Sequence, residues 1–244
     1  DDVFGNNTIA NFKKWGVNID NVHVTDKAFS GVAPIAVDTE GNNSIIIVTG
    51  ANDLLSVDDV ESARPYIAAS QILVCQLEIP IGINLAAMRI AREEGIPTIF
   101  NPAPAKTELP DEIYQLSDIF CPNESETELL TGLSVNTMEE AEAAARILVG
   151  RGSKSVILTL GVRGSLLVTQ DTVKHIPVEP VKALDTTGAG DSFVGCLAYF
   201  LAREIPIEEA LRRSNYIASV SVQAAGTQTS FPEAKDSRLK GYVE

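Results

Sequence analysis

The chain has 244 residues, of which 45% are hydrophobic and 21% are charged, a composition typical of a folded globular protein. Its 19 basic and 33 acidic residues give a net charge of −14, which argues against nucleic acid or an anionic membrane as a principal partner. No apolar run approaches the roughly 20 residues of a membrane span, and three widely spaced cysteines favour a reducing, cytoplasmic compartment.

The first 48 residues predict a helix and then a small β hairpin. Apolar residues from Phe4 to Trp15 recur at helical spacing, and two short apolar strands between 22 and 48 flank a polar turn at 38–43. The apolar face of the first helix needs a sheet to cover. We therefore expect that a segment N-terminal to Asp1 is missing from the sequence as printed.

From residue 56 onward, strand and helix patterns alternate. Predicted strands fall at 72–75, 97–100, 118–121, 155–160, 166–168 and 173–176, the last two forming a hairpin. Predicted helices begin after the capping boxes at 56–59 and 137–140, cover 81–94 and 123–130, follow a Gly-rich turn near 190, and cover 208–225. This alternation predicts an α/β fold with a doubly wound, mostly parallel sheet and helices on both faces.

A turn rich in Thr and Gly, at residues 183–192, runs directly into one of these helices. Backbone N–H groups at a helix start lack intrahelical partners and attract anions, so the turn predicts a phosphate site. Gly188 and Gly190 allow a ligand to approach the backbone closely. Asp191 would repel a phosphate, and we expect it to take a proton from a hydroxyl that attacks that phosphate. The alternative is that this Asp is an ordinary helix N-cap.

Polar residues follow three of the predicted strands, where an open α/β sheet binds its ligands. They are Glu78, the pair Asn123 and Glu126, and the Gly-rich segment 161–165. The structural alternatives are a helix cap for Asn123, a solvated acid for Glu126 and a hairpin turn for 161–165. Together with the turn at 183–192, they predict a nucleotide site with Mg²⁺ held by oxygen ligands and water.

Other nucleotide motifs do not fit the sequence. No G-x-x-x-x-G-K-[ST] occurs, which excludes a P-loop. A dinucleotide fingerprint is disfavoured because Phe193 stands where G-x-G-x-x-G requires its third glycine.

Three motifs in this order resemble the ribokinase family of sugar kinases over the whole chain. They are Asn123-Glu124-Ser125-Glu126, Thr159-Leu160-Gly161-Val162-Arg163-Gly164 and Asp185-Thr186-Thr187-Gly188-Ala189-Gly190-Asp191. The resemblance implies ATP-dependent phosphorylation of D-ribose at its 5-hydroxyl, with Mg²⁺ and K⁺ as cofactors. It also implies that residues 22–48 belong to a β lid that covers the sugar and pairs two subunits into a homodimer, while 1–21 and 49–244 form the main domain.

The same resemblance implies a role for each matching residue. Asp191 is the base that deprotonates the sugar hydroxyl, and Glu78 lines the sugar pocket. The anion hole for the γ-phosphoryl is formed by Gly188, Ala189 and Gly190, while Asn123 and Glu126 hold phosphate and Mg²⁺-bound water. The nucleotide is lined by Thr159, Leu160, Gly161, Val162, Arg163, Gly164 and Asn215. A monovalent cation is bound by Asp185, Thr187, Ser221, Ala224, Gly226 and Ser230.

The sequence departs from the family in lacking its opening strand, with an Asp and a G-G-K-G-x-N sugar motif. We therefore expect weak or no ribose phosphorylation from the chain as printed. Two other functions stay open: a kinase of this family for another sugar or a nucleoside, and a truncated, non-catalytic nucleotide-binding remnant.

Overall fold

The computed structural model describes residues 1–37 and 43–243. The hairpin is confirmed: strand β1, Ile35–Val37, pairs antiparallel with β2, Asn43–Ile45, and an isolated bridge joins Val32 to Val48. Its predicted turn lies outside the described residues, except for Asn43. These two strands form a sheet separate from the main one, while the exact domain bounds stay a prediction.

The main sheet has six strands in the order of the sequence. They are β3 (Leu73–Cys75), β4 (Thr98–Phe100), β5 (Ile119–Phe120), β6 (Ser155–Thr159), β7 (Ser165–Thr169) and β8 (Val173–Ile176). The first four are mutually parallel, and β7 and β8 add as an antiparallel hairpin. The predicted mostly parallel sheet is therefore confirmed, and its parallel strands share one carboxyl edge.

Nine α-helices occur in the described part of the chain. They are α1 (Val3–Lys14), α2 (Val57–Ser62), α3 (Arg64–Ala68), α4 (Ile81–Glu93), α5 (Asp111–Leu116), α6 (Glu124–Thr131), α7 (Met138–Gly150), α8 (Ala189–Ala202) and α9 (Ile207–Ser221). Both predicted capping boxes are present, Ser56 with Asp59 and Thr137 with Glu140. The sequence analysis placed the end of α9 four residues too late and did not predict α3 or α5.

The strands direct alternate side chains to two separate cores. Phe100, Phe120 and Leu158 point to one face of the sheet, where α4, α5 and α7 cover them. Ile99, Ile119 and Ile157 point to the other face, under α8 and α9. This two-residue alternation on a sheet covered on both sides is why the strands are almost continuously apolar in sequence.

Helix α1 lies apart from both cores and has no buried residue. Phe4 and Trp15 are 58% and 55% exposed, while Ile9 and Phe12 between them are half-buried, so the apolar face of this helix is covered only in part. A hydrogen bond of 2.7 Å from Asn11 Nδ2 to Gln228 Oε1 connects α1 to the loop after α9. No helix within residues 1–37 and 43–243 is both long and apolar enough to cross a membrane.

Candidate active site

The turn before α8 has the form expected of an anion site. Gly188 is the N-cap, in the left-handed conformation with φ 81°, and no side chain caps this helix end. A Cβ on Gly188 would lie 3.2 Å from Phe231 Cε1 and 3.3 Å from Thr227 Cα, so both conformation and space favour glycine. Asp191 lies in the first turn of α8 and is not the N-cap.

The other acid of this turn, Asp185, joins it to the loop after α9. Its carboxylate accepts hydrogen bonds from the backbone N–H groups of Thr187 and Gly226, each at 2.9 Å. Hydrogen bonds to Thr187 are the main cause that lowers the pKa of Asp185, followed by the one from Gly226. Asp185 is therefore a fixed, ionised group that holds two loops together.

The pKa of Asp191 is shifted in the opposite direction to that of Asp185. Its side chain is open to a cavity, yet the surrounding protein excludes enough water to raise its pKa above the ordinary value. Burial also raises the pKa of Glu78, and the negative charge of Asp191 raises it further. The charge of Asp191 therefore acts on the Glu78 carboxyl, and the roles of both residues toward a sugar stay a prediction.

The N-terminus of α6 brings Asn123 and Glu126 to the same edge through a third capping box. Asn123 Oδ1 accepts from the Glu126 N–H at 2.8 Å, and Glu126 Oε2 accepts from the Asn123 N–H at 2.8 Å. Glu126 is 5% exposed, and this burial raises the pKa of its carboxyl. A bridge from Asn123 to Thr159 attaches this helix end to the end of β6.

A short 3-10 turn, Gly161–Arg163, connects β6 to β7. Gly164, with φ 86°, ends it, and an added Cβ there would lie 2.2 Å from Ile176 O on β8, a distance that no other residue tolerates. The Arg163 guanidinium donates to the Glu124 carboxylate and to two backbone carbonyls between α6 and α7. The segment is therefore fixed both to β8 and to the α6 region.

These segments enclose a cavity of about 430 Å³. Among its lining residues are the predicted Asn123, Thr159, Gly161, Val162, Gly164, Ala189, Gly190 and Asn215. Of the described residues in the predicted nucleotide set, Leu160 and Arg163 are not part of this lining. Asn215 Nδ2 donates to Ser165 Oγ at 3.1 Å and to Ile176 O at 2.9 Å, which leaves its amide oxygen as the atom available to a ligand.

A second cavity, of about 360 Å³, adjoins the first at four shared residues: Asn123, Thr159, Thr186 and Gly190. Its lining includes the predicted Glu126, Thr187, Gly188 and Asp191. Glu78 lies outside the lining of both cavities. Of the remaining predicted cation residues, Gly226 contacts Asp185 and both Ser221 and Ser230 are buried, while the grouping of the whole set around a cation stays a prediction.

Several lining residues were missed by the sequence analysis. In the second cavity, Asn101 stands directly after β4, the same strand-end position that identified Glu78, and its Nδ2 donates to Cys121 O at 2.8 Å. The rule applied to the other strands would have found it. In the first cavity, the apolar residues Val178, Val181, Ala218 and Val222 have no polar signature that sequence patterns could detect.

Comparison with known proteins agrees with this geometry. The pfkB family carbohydrate kinase profile matches residues 1–234. Mouse ribokinase is 48% identical over 239 residues, covering 96% of this chain and 74% of the mouse protein. Deoxyribokinase of Salmonella typhi is 40% identical over 232 residues, covering 95% and 76%.

Solved structures give the same result. Thermotoga maritima ribokinase superposes with a TM-score of 0.86 and 34% identity, covering 100% of this chain and 78% of that one. Arabidopsis thaliana ribokinase, solved with ribose and ATP, superposes with a TM-score of 0.83 and 33% identity. The match covers 94% of this chain and 74% of the Arabidopsis chain. Fold, cavities and relatives together define an enzyme that phosphorylates sugars. The chain belongs to the pfkB family of carbohydrate kinases.

Proposed function

We propose that this sugar kinase transfers the γ-phosphoryl group of ATP to the 5-hydroxyl of D-ribose. The observation that supports it most is the placement of Asp191, a carboxyl with a raised pKa, in the first turn of an uncapped helix, where it lines the second cavity beside Gly190, a residue that both cavities share. A carboxylate beside an anion site has no use in holding phosphate. It suits the removal of a proton from the attacking hydroxyl.

Each of these residues has its own role in the reaction. Asp191 accepts the proton of the sugar hydroxyl as its oxygen attacks the γ-phosphorus, and the bond to the β-phosphate oxygen breaks. Backbone N–H groups of Gly188, Ala189 and Gly190 stabilise the charge on the transferring group, which is the main demand of phosphoryl transfer. Glu78 holds the sugar on the other side of Asp191.

ATP fits the first cavity by its chemistry. Val178, Val181 and Val222 offer an apolar lining to a base, and the free amide oxygen of Asn215 is an acceptor for an amino group. Adenine has such an amino group on its six-membered ring, where guanine has a carbonyl oxygen. This arrangement supports a preference for ATP over GTP.

The cofactors proposed here are Mg²⁺ and K⁺. No three His, Cys, Asp or Glu side chains converge on a metal position in the part of the chain that the structure describes. Glu126 uses Oε2 for the helix cap, which leaves Oε1 for a water bound to Mg²⁺. K⁺ prefers oxygen donors, and the set of Asp185, Thr187, Ser221, Ala224, Gly226 and Ser230 supplies one carboxylate together with hydroxyl and carbonyl oxygens. When bound, the cations neutralise phosphate charge.

A second candidate substrate is 2-deoxy-D-ribose, because one relative at 40% identity is a deoxyribokinase. Initial rates of the full-length protein with D-ribose, 2-deoxy-D-ribose, fructose and adenosine, at saturating ATP, separate the possibilities. We expect the highest kcat/KM with D-ribose and a 5-phosphate product by NMR. A higher kcat/KM for 2-deoxy-D-ribose would replace ribose as the substrate, and transfer to none of the four would refute the proposal.

We also propose a homodimer formed through the lid, in the cytoplasm. Phe29, Ile46 and Val48 are 82%, 66% and 50% exposed, and apolar residues at this density favour an interface. All three cysteines are free, which agrees with a reducing compartment. Sedimentation of the wild type and of Ile46→Glu tests the dimer: we expect two subunits for the first and one for the second, and two for both would refute this interface.

A further inference from the structure

The 3-10 turn Gly161–Arg163 lines the nucleotide cavity with Gly161 and Val162, but its arginine points elsewhere. Arg163 Nη1 donates to Asn136 O at 2.8 Å, and Nη2 donates to Val135 O at 2.8 Å and to the Glu124 carboxylate. All three acceptors belong to the α6 region. The guanidinium therefore connects two segments that are distant in sequence.

The contact between Arg163 and Glu124 lies beside the nucleotide cavity. Glu124 is the first residue of α6, directly after Asn123, whose side chain lines both cavities. Of the two residues whose carbonyls accept from Arg163, Val135 is 2% exposed and Asn136 is exposed. The guanidinium thus attaches the nucleotide-lining turn to the first residue of α6 and to a buried residue that follows this helix.

The turn has few other attachments. Its internal hydrogen bonds join Leu160 to Gly164 and Arg163 to Leu160, which close the turn on itself. On the opposite side, His175 Nε2 contacts Arg163 O at 2.6 Å. Without the guanidinium contacts, the turn itself would keep its contact to β8, while Thr159 before it stays bridged to Asn123.

We propose that Arg163 is a positioning residue, which binds no part of the nucleotide and fixes the backbone of Gly161 and Val162 against α6. The inference rests on the proposed function, since it assigns the first cavity to ATP. It makes a specific claim about which part of the ligand is affected. A misplaced turn weakens contacts to the nucleoside, so ATP and adenosine lose affinity by the same factor.

The test is calorimetric titration of the 244-residue chain with MgATP and with adenosine, using wild type, Arg163→Gln and Arg163→Lys. Arg146→Gln is the matched control, because Arg146 makes an exposed pair with Glu142 at 2.8 Å on α7, away from both cavities. We expect Arg163→Gln to weaken both ligands about tenfold, with Arg163→Lys also weakened and the control unchanged. Amide hydrogen exchange of residues 160–164 should be faster in Arg163→Gln and unchanged in Arg146→Gln.

Three outcomes would overturn the proposal. Loss of ATP affinity with full adenosine affinity would mean that Arg163 acts through its charge, on the phosphates or by neutralising Glu124 in the cavity lining, and does not position the turn. Unchanged affinity for both ligands in Arg163→Gln would mean that the turn needs no attachment to α6. Wild-type protein that binds neither ligand would overturn the proposed function, and this inference with it.

Discussion

Gly190 and Gly195 provide a matched pair of substitutions in one helix. Both lie in α8, and a Cβ added at either would meet nothing within 4 Å. Replacing glycine by alanine inside a helix stabilises it by about 0.5–1 kcal/mol. Gly190 lines both cavities, and Gly195 lines neither. Because Gly190 is the second residue of α8 and Gly195 lies in its interior, the gain at Gly190 should lie at the low end of this range, and only Gly190→Ala should alter ligand binding.

We expect the melting temperature of each variant to rise by about 1–4 °C, the shift typical of this free energy in a protein of this size. The new methyl of Gly190→Ala occupies space where phosphate approaches the start of α8. ATP affinity should fall at least about tenfold, or about 1.4 kcal/mol, while Gly195→Ala binds as the wild type does. Thermal melts and calorimetric titration measure both effects. Wild-type ATP affinity in a stable Gly190→Ala protein would refute the phosphate site.

Three further outcomes are expected. Gly188→Ala, unlike Gly190→Ala, should lower the free energy of unfolding by about 1–2 kcal/mol, because alanine resists a left-handed φ and its methyl crowds Phe231. Denaturant melts measure this loss, and unchanged stability would contradict it. In Asp191→Asn, the pKa of Glu78 should fall, because the negative charge of Asp191 no longer raises it, and should still exceed its ordinary value because Glu78 stays partly buried. Carboxyl NMR titration measures this pKa, and an unchanged value would mean that the two groups do not interact. Glu126→Gln should raise the Mg²⁺ concentration needed for half-maximal rate, which an unaltered Mg²⁺ dependence would disprove.

Much of the fold could be predicted because local and global signals agree. The strands of the main sheet are short apolar runs bounded by turns, and the capping boxes at Ser56 and Thr137 mark their helices clearly. Helices α3 and α5 were missed since each has only five or six residues. Helices this short are too brief to show an amphipathic period.

The candidate site was predicted where chemistry coincides with a strand end. Asn123 and Glu126 follow the parallel strand β5 and line the second cavity, as the carboxyl edge of parallel strands requires, and Asp191 reaches the same cavity from the start of α8. The direction in which a side chain points is harder to predict from sequence, because it depends on partners that are distant along the chain. The family resemblance implies that Arg163 lines the nucleotide, and this stays a prediction; the engagement of its guanidinium by Glu124 and by carbonyls is something that no local pattern reveals.

The identity of the base is tested most directly by the kinetics of Asp191→Asn, an isosteric change that removes the proton acceptor. The account predicts that kcat for sugar phosphorylation falls by about 10²–10⁴, the usual contribution of a general base, while the ATP dissociation constant stays as in the wild type. A variant that turns over as fast as the wild type would show that Asp191 is not the base.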